Sequence, residues 1–145
     1  MPLYFGFGSN MNWAQLLDRC PGARIVGRAS LPDHRLAFGG WSRNWGGPVA
    51  PVAQAPGKSV PGILYCISDD DLRLLARYEG HPHTYRRCAA EVVDDEGQPW
   101  KAVLYWIAPE AGARPAIGYE AVLRSAYKAW GFGRLGPRKA RQAAR

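Results

Sequence analysis

The chain has 145 residues, 47% hydrophobic, 12% aromatic and 21% charged, which fits one globular domain and excludes a disordered, collagen-like or coiled-coil chain. Seventeen Gly and 12 Pro without a period point to short strands and turns rather than a helical bundle. The formal charge of +7 is concentrated at the C-terminus, where Arg134, Arg138, Lys139, Arg141 and Arg145 stand without an acid or an aromatic residue among them, so the body is nearly neutral and residues 134–145 read as a flexible solvated tail rather than a nucleic-acid arm.

No apolar run approaches the roughly 18 residues of a membrane span, and Met1-Pro2-Leu3-Tyr4 lacks the basic start of a secretory signal, so a cytoplasmic protein with no membrane partner is expected. The three cysteines, Cys20, Cys66 and Cys88, are odd in number and widely spaced, which speaks against a disulfide framework and suits small buried thiols.

Leu3-Tyr4-Phe5-Gly6-Phe7 is a short apolar run expected to form a buried first strand, stopping at Gly8-Ser9-Asn10. A helix is predicted from Met11, with Met11, Ala14, Leu17 and Cys20 on its apolar face, Asn10 or Ser9 as N-cap and Pro21-Gly22 at its end. Residues 24–40 hold strand-like stretches around Ile25-Val26 and Leu36-Ala37-Phe38, and Trp41 to Pro48 reads as a Gly-rich loop. Val49 to Ala55 and Val60 to Ile67 are predicted as two strands separated by a turn at Pro56-Gly57-Lys58. Ser68 with Asp71 resembles a capping box opening a helix over 69–79, with Leu72, Leu75 and Ala76 inward. Tyr85 to Val93 and Trp100 to Ile107, joined by Asp94-Asp95-Glu96-Gly97-Gln98, form the clearest hairpin. A last helix over 115–130, with Ile117, Val122, Ala126 and Trp130 apolar, ends at Gly131 or Gly133. Strands outnumber helices and consecutive antiparallel pairs dominate, so the fold class is α+β with a strongly curved or barrel-like sheet in residues 1–133.

Two places could carry chemistry. The strand-to-helix turn Gly6-Phe7-Gly8-Ser9-Asn10-Met11 offers backbone N–H groups to an anion, with glycine permitting close approach, although such turns also serve as plain connections. Glu79 stands where its helix ends, so its carboxylate faces the negative end of the helix dipole, which disfavours the ionised form and suits proton transfer near neutral pH. The structural alternative is an exposed Glu79 paired with Arg86 or Arg87. His81, His83, Cys66 and Cys88 lack metal-ligand spacing, and Ser9 lacks a nucleophile elbow and a partner His.

Four segments in order resemble the γ-glutamylcyclotransferase family with its AIG2-like and bacterial relatives. Tyr4-Phe5-Gly6-Phe7-Gly8-Ser9-Asn10-Met11 is similar to the family's Tyr-Gly-Ser-Asn turn; Arg35-Leu36-Ala37-Phe38, Gly46-Gly47 and Val60-Pro61-Gly62-Ile63-Leu64-Tyr65 follow. Leu75-Ala76-Arg77-Tyr78-Glu79-Gly80 with downstream Tyr85 is similar to Leu-Asp-x-x-Glu-Gly with its Tyr, and Pro115-Ala116-Ile117-Gly118-Tyr119 resembles Pro-Ser-x-x-Tyr. The likeness runs from about Leu3 to Phe132 and departs at Phe7, Ala76 and Ala116, where many relatives carry Tyr, Asp and Ser.

The resemblance implies a small mixed β-barrel flanked by helices and an enzyme that releases 5-oxoproline from γ-glutamyl amides. It further implies Glu79 as general base and acid, the N–H groups of Gly8, Ser9, Asn10 and Met11 as binders of the α-carboxylate or oxyanion, and Phe7, Tyr85 and Tyr119 in the pocket. The partner is then a small γ-glutamyl substrate, and no metal or organic cofactor is required because the substrate supplies its own nucleophile. The alternatives left open are an enzyme acting on a different small amide and a non-catalytic module that binds a glutamyl-like ligand; the leaving group, the oligomeric state, a homodimer included, and any oligomer contact through Trp41 and Trp45 stay open as well.

Overall fold

The computed structural model describes residues 2–37, 39–42, 47–49, 52–79, 86–106 and 117–132, with the side chains at 9, 39–42, 47–49, 76–79 and 117–119 outside that description. Five strands close into a barrel in the order β1 (Leu3–Gly6), β5 (Val52–Cys66), β2 (Arg24–Leu36), β6 (Arg86–Asp94) and β7 (Pro99–Trp106). All pairs are antiparallel except β1 with β7, which run parallel through Tyr4 and Val103 and complete the closure. Closure leaves the barrel without an unpaired edge. The helices are α1 (Trp13–Arg19), α2 (Asp69–Glu79) and α3 (Ile117–Trp130). The expected α+β class with a mixed, barrel-like sheet is what the chain adopts.

Alternation along the strands sends side chains to two separate cores. Phe5, Phe7, Ala29, Leu31, Val52, Val60, Leu64, Val92, Ala102 and Leu104 form one cluster drawn from the barrel strands and the residue just past β1. Tyr4, Ile63, Tyr65 and Tyr105, from the other face, join Met11, Leu16 and Cys20, Leu72 and Leu75 of α2, and Leu123, Ala126 and Tyr127 of α3. On β1 and β5 the allocation switches residue by residue, so that Leu64 and Tyr65 serve different cores. Gly62 is fixed by close approach: a Cβ there would stand 2.6 Å from the Gly6 carbonyl oxygen and from the Phe5 ring.

Several sequence expectations are corrected. The first helix begins at Trp13, capped by the Asn12 side chain, which accepts the Gln15 N–H at 3.0 Å; it is preceded by a separate 3-10 turn over Ser9–Met11. Asn10 cannot cap it because its side chain is engaged in the interior, as described below. The helix buries Leu16, followed by Cys20 just beyond its end, while Leu17 is 38% exposed and Ala14 is also exposed. The two ends of the stretch predicted as a loop over Trp41 to Pro48 belong to a small antiparallel pair, β3 (Gly39–Ser42) with β4 (Gly47–Val49), and 43–46 lie outside the described residues.

The predicted turn at Pro56-Gly57-Lys58 lies inside the continuous strand β5, where the register against β2 shifts between Pro32 and His34. Asp33, at a φ of 60°, accepts the Gly57 N–H through Oδ1 at 3.0 Å, so the extra residues form a bulge and the strand keeps its direction. The strand-like stretches in 24–36 are likewise one long strand, β2.

Helix α2 spans the expected residues. Ser68 Oγ accepts the Asp71 N–H at 3.1 Å, but the Asp71 carboxylate turns away from the reciprocal half of a capping box and accepts the Gly22 N–H at 3.0 Å, tying α2 to the segment after α1. The hairpin β6–β7 forms as predicted. Its turn is organised by Asp94, whose Oδ1 accepts the N–H groups of Glu96 and Gln98, both at 2.9 Å, and whose Oδ2 accepts Trp100 Nε1 at 2.8 Å. The Trp100 bond first, and these backbone bonds with it, hold the Asp94 carboxyl below the usual range.

The last helix buries Leu123, Ala126 and Tyr127, with Trp130 partly buried against the same core; of the expected stripe Ala126 and Trp130 face inward, Val122 is only half-buried, and the side chain of Ile117 lies outside the described residues. It ends at Gly131, φ 78°, in a Schellman motif: Phe132 N–H donates to Tyr127 O at 2.8 Å and Gly131 N–H to Lys128 O at 3.3 Å, while the Phe132 ring meets Tyr127 edge-on at 5.7 Å. Arg28 fastens this end to the β6–β7 turn, reaching Asp95 at 2.7 Å and the Trp130 carbonyl at 3.1 Å.

Candidate active site

Where β1 ends, the chain passes through Phe7 and Gly8 into the single turn Ser9–Met11, closed by Met11 N–H donating to Gly8 O at 3.0 Å. A trans peptide holds its C=O and N–H in opposite directions, so the inward Gly8 carbonyl turns the Ser9 N–H away from the turn's interior. Met11 N–H is itself engaged in closing the turn. With α1 starting two residues later, the residues expected to receive an anion stand in a turn of their own rather than at a helix end.

The turn is held from behind by four elements. Asn10 is 3% exposed. Its Nδ2 donates to Tyr4 Oη at 3.0 Å, and its Oδ1 accepts from Gln15 Nε2 at 3.1 Å and Arg19 Nη1 at 2.9 Å. Its main-chain oxygen accepts Tyr65 O–H at 2.8 Å, and the next carbonyl, of Met11, accepts Trp130 Nε1 at 2.7 Å. Leaving a buried amide or carbonyl like these without a partner costs about 1–3 kcal/mol, so each tether narrows the conformations open to the turn. Tyr65 is stacked on Tyr4 at 6.2 Å and on Trp13 at 6.0 Å. Burial holds its hydroxyl protonated far above neutral pH, which keeps it a donor to Asn10. Burial also pushes the Cys20 thiol up to about 11, with Asp71 adding to the shift and Arg19 opposing it, so Cys20 is a packed thiol and not a nucleophile.

The residues singled out in the sequence fall as follows. Gly8, Ser9, Asn10 and Met11 come together in this turn. Phe7 is buried and stacks on Phe5 at 6.0 Å in the barrel core. Glu79 is the last residue of α2 and Tyr119 lies in the first turn of α3, their side chains outside the described residues; Tyr85, His81 and His83 lie outside them altogether, as does the tail 134–145. The three elements that carry these candidates nonetheless share one core, since Met11, Leu72, Leu75, Leu123 and Tyr127 pack in a single cluster. Among the described residues no group of His, Cys, Asp or Glu could hold a metal ion, and no helix is long and apolar enough to cross a membrane.

Sequence reasoning missed the residues that hold the turn. Gln15 and Arg19 carried a readable signal, four residues apart on one helix face. Tyr65 was hidden in an apolar run, and Trp130, 119 residues from Met11, had no local signal at all.

A family model described as gamma-glutamyl cyclotransferase, AIG2-like, matches residues 4–127. The human gamma-glutamylcyclotransferase is 29% identical over 126 residues, covering 83% of this chain and 67% of that protein, and the mouse protein of the same name matches to the same extent. Among solved structures, one named gamma-glutamyl cyclotransferase superposes with a TM-score of 0.83 at 26% identity, covering 99% of this chain and 86% of its own. An uncharacterized human protein superposes at 0.82 with 26% identity, covering 98% and 85% of the two chains. With a family model matched over residues 4–127 and the barrel shared with solved relatives, the chain belongs to the gamma-glutamyl cyclotransferase, AIG2-like family.

Proposed function

We propose that the protein is a γ-glutamyl cyclotransferase that converts a γ-glutamyl amide into 5-oxoproline and a free amine or amino acid. The substrate's α-amine nitrogen attacks its own γ-carbonyl carbon, a tetrahedral adduct forms, and the bond to the leaving nitrogen breaks. The nucleophile is tethered to its target, so holding the glutamyl chain folded removes much of the entropic barrier. What the protein must add is a site for the α-carboxylate, stabilisation of the oxyanion and transfer of protons from the attacking to the leaving nitrogen.

In this reading the backbone amides at Gly8, Ser9 and Asn10 bind the anionic groups, and Glu79 takes one proton from the α-ammonium and delivers it to the leaving nitrogen; the second proton, lost as the attacking nitrogen becomes the lactam N–H, leaves by the same carboxylate to the released amine, which departs as its ammonium form. Tyr85 and Tyr119 line the substrate, and Phe7 supports the turn from the barrel side. The reaction as written uses neither metal nor organic cofactor, because attack and departure take place within one substrate molecule.

The observation that carries the reading is the pinned turn. Two of its carbonyls, Asn10 and Met11, and one buried side chain are fixed from four directions, while the helices ending in Glu79 and beginning near Tyr119 pack on the same cluster as Met11. The relatives named gamma-glutamylcyclotransferase support the same conclusion.

The test is 5-oxoproline release from γ-glutamyl amino acids, γ-glutamylamines and glutathione by the wild type and by Glu79→Gln. Release by the wild type, falling about 100-fold or more in Glu79→Gln while ligand affinity is kept, is the expected result. Binding of glutamate-like ligands without release would instead favour a binding module.

A further inference from the structure

We infer that Arg19 is a positioning residue for the turn that receives the substrate's anionic group, acting through the side chain of Asn10. The inference rests on the cyclotransferase reading for its functional consequence, though not for its geometry.

Asn10 can be placed in its buried site in two ways, related by exchange of its amide oxygen and nitrogen. A guanidinium can only donate hydrogen bonds. With Arg19 Nη1 2.9 Å from Asn10 Oδ1, the flipped amide would set N–H groups against N–H groups, so Arg19 determines which end of Asn10 faces α1. Gln15 Nε2, at 3.1 Å, donates to the same oxygen, but a glutamine amide carries an acceptor as well as donors, whereas the guanidinium carries donors alone. Once Oδ1 faces Arg19, Nδ2 is directed to Tyr4 Oη at 3.0 Å, and Asn10 is locked between the first strand and the first helix.

The backbone follows the side chain. With Asn10 fixed, its carbonyl meets Tyr65 O–H at 2.8 Å and the Gly8 carbonyl receives Met11 N–H at 3.0 Å, the arrangement that turns the Ser9 amide outward. The four-residue spacing of Gln15 and Arg19 puts both donors on the face of α1 that looks back toward the turn. A charged donor also makes a stronger bond to a neutral acceptor than an amide does, and it adds positive charge behind amides that would bind an anion.

The experiment uses the full chain with Arg19→Met, which keeps the length of the stem but removes charge and donors, and Arg19→Lys, which keeps the charge and a donor. The first readout needs no substrate: backbone amide NMR shifts at Gly8, Ser9 and Asn10, and hydrogen exchange at Met11, whose N–H closes the turn on Gly8 O. In Arg19→Met these resonances move and the Met11 amide exchanges at least ten-fold faster, while the β6–β7 hairpin stays as in the wild type; Arg19→Lys recovers most of the change. The second is kinetic: KM for the best γ-glutamyl substrate rises about ten-fold in Arg19→Met, the loss expected of one charge-assisted hydrogen bond, with the pH profile of kcat unchanged.

If Arg19→Met does not fold, Arg19→Gln, which keeps a neutral donor that can also accept, is measured in the same way, with an intermediate effect expected. Wild-type amide shifts, exchange and KM in the folded variant, with or without a lower Tm, would overturn the inference and leave Arg19 as a helix-end stabiliser. Absence of 5-oxoproline from the wild type would bring down the cyclotransferase reading alone, since the amide readout stands apart from turnover.

Discussion

The two faces of the barrel strands are built from the same alternation but to different ends. One face gathers Phe5, Leu31, Val60, Leu64, Val92 and Leu104, side chains with no polar atom to satisfy. The other, under the helices, includes Tyr4, Tyr65 and Tyr105, whose hydroxyls meet Asn10 Nδ2, Asn10 O and Leu72 O. Volume alone can fill the first core. The second places donors and acceptors at fixed points, two of which, Tyr4 and Tyr65, meet the turn at Gly8–Met11, while Tyr105 holds α2. Adjacent residues can therefore differ in what they contribute, one to stability and its neighbour to the shape of the site.

Leu64 and Tyr65 offer the sharpest way to break that distinction, being neighbours on β5 with 1% and 0% exposure. Leu64→Ala is expected to destabilise the protein by about 2–5 kcal/mol through the cavity it leaves, while the folded fraction keeps the wild-type KM. Urea denaturation and kinetics at a temperature where the variant is folded check both halves. Tyr65→Phe keeps the ring stacked between Tyr4 and Trp13 but removes the donor to the buried Asn10 carbonyl. It is expected to lower stability by only about 1–2 kcal/mol yet to raise KM several-fold, reversing the order seen for Leu64→Ala.

A smaller effect is expected at Asp94, in the β6–β7 turn. Its carboxyl is held below the ordinary range by Trp100 and the turn amides, so the charged form is favoured in the folded state. The stabilisation is present above the unfolded carboxylate value of about 3.9 and is lost as pH falls through the lower folded value. Asp94→Asn is thus expected to lower Tm slightly at pH 7, with the difference from wild type closing as the pH is taken below the carboxylate range. Thermal melts across that range check it, and kinetic constants should not move.

The hairpin, the first strand and α2 were legible because their signals are local: alternation between turn residues, an apolar run stopped by glycine, and a Ser cap three residues ahead of Asp. The bulge in β5 was not. Pro56-Gly57-Lys58 has the composition of a turn, and what makes it a bulge is Asp33, 24 residues earlier, accepting the Gly57 N–H. The start of α1 was misplaced for a related reason, since Asn10 would serve as a cap were it not drawn inward by Tyr4, Gln15 and Arg19. The turn at Gly8–Met11 could be picked out from its residues, but its rigidity could not, because Tyr65 and Trp130 reach it from 55 and 119 residues away.

The central claim is that the bond to the γ-carbonyl is broken by the substrate's own amine and not by water. The most direct measurement is to run the reaction on a γ-glutamyl amide in water enriched in oxygen-18 and to identify the product by mass spectrometry. The account predicts unlabelled 5-oxoproline formed in equal amount with the released amine. Glutamate carrying one labelled oxygen in its γ-carboxylate would show that water is the nucleophile, and would contradict it.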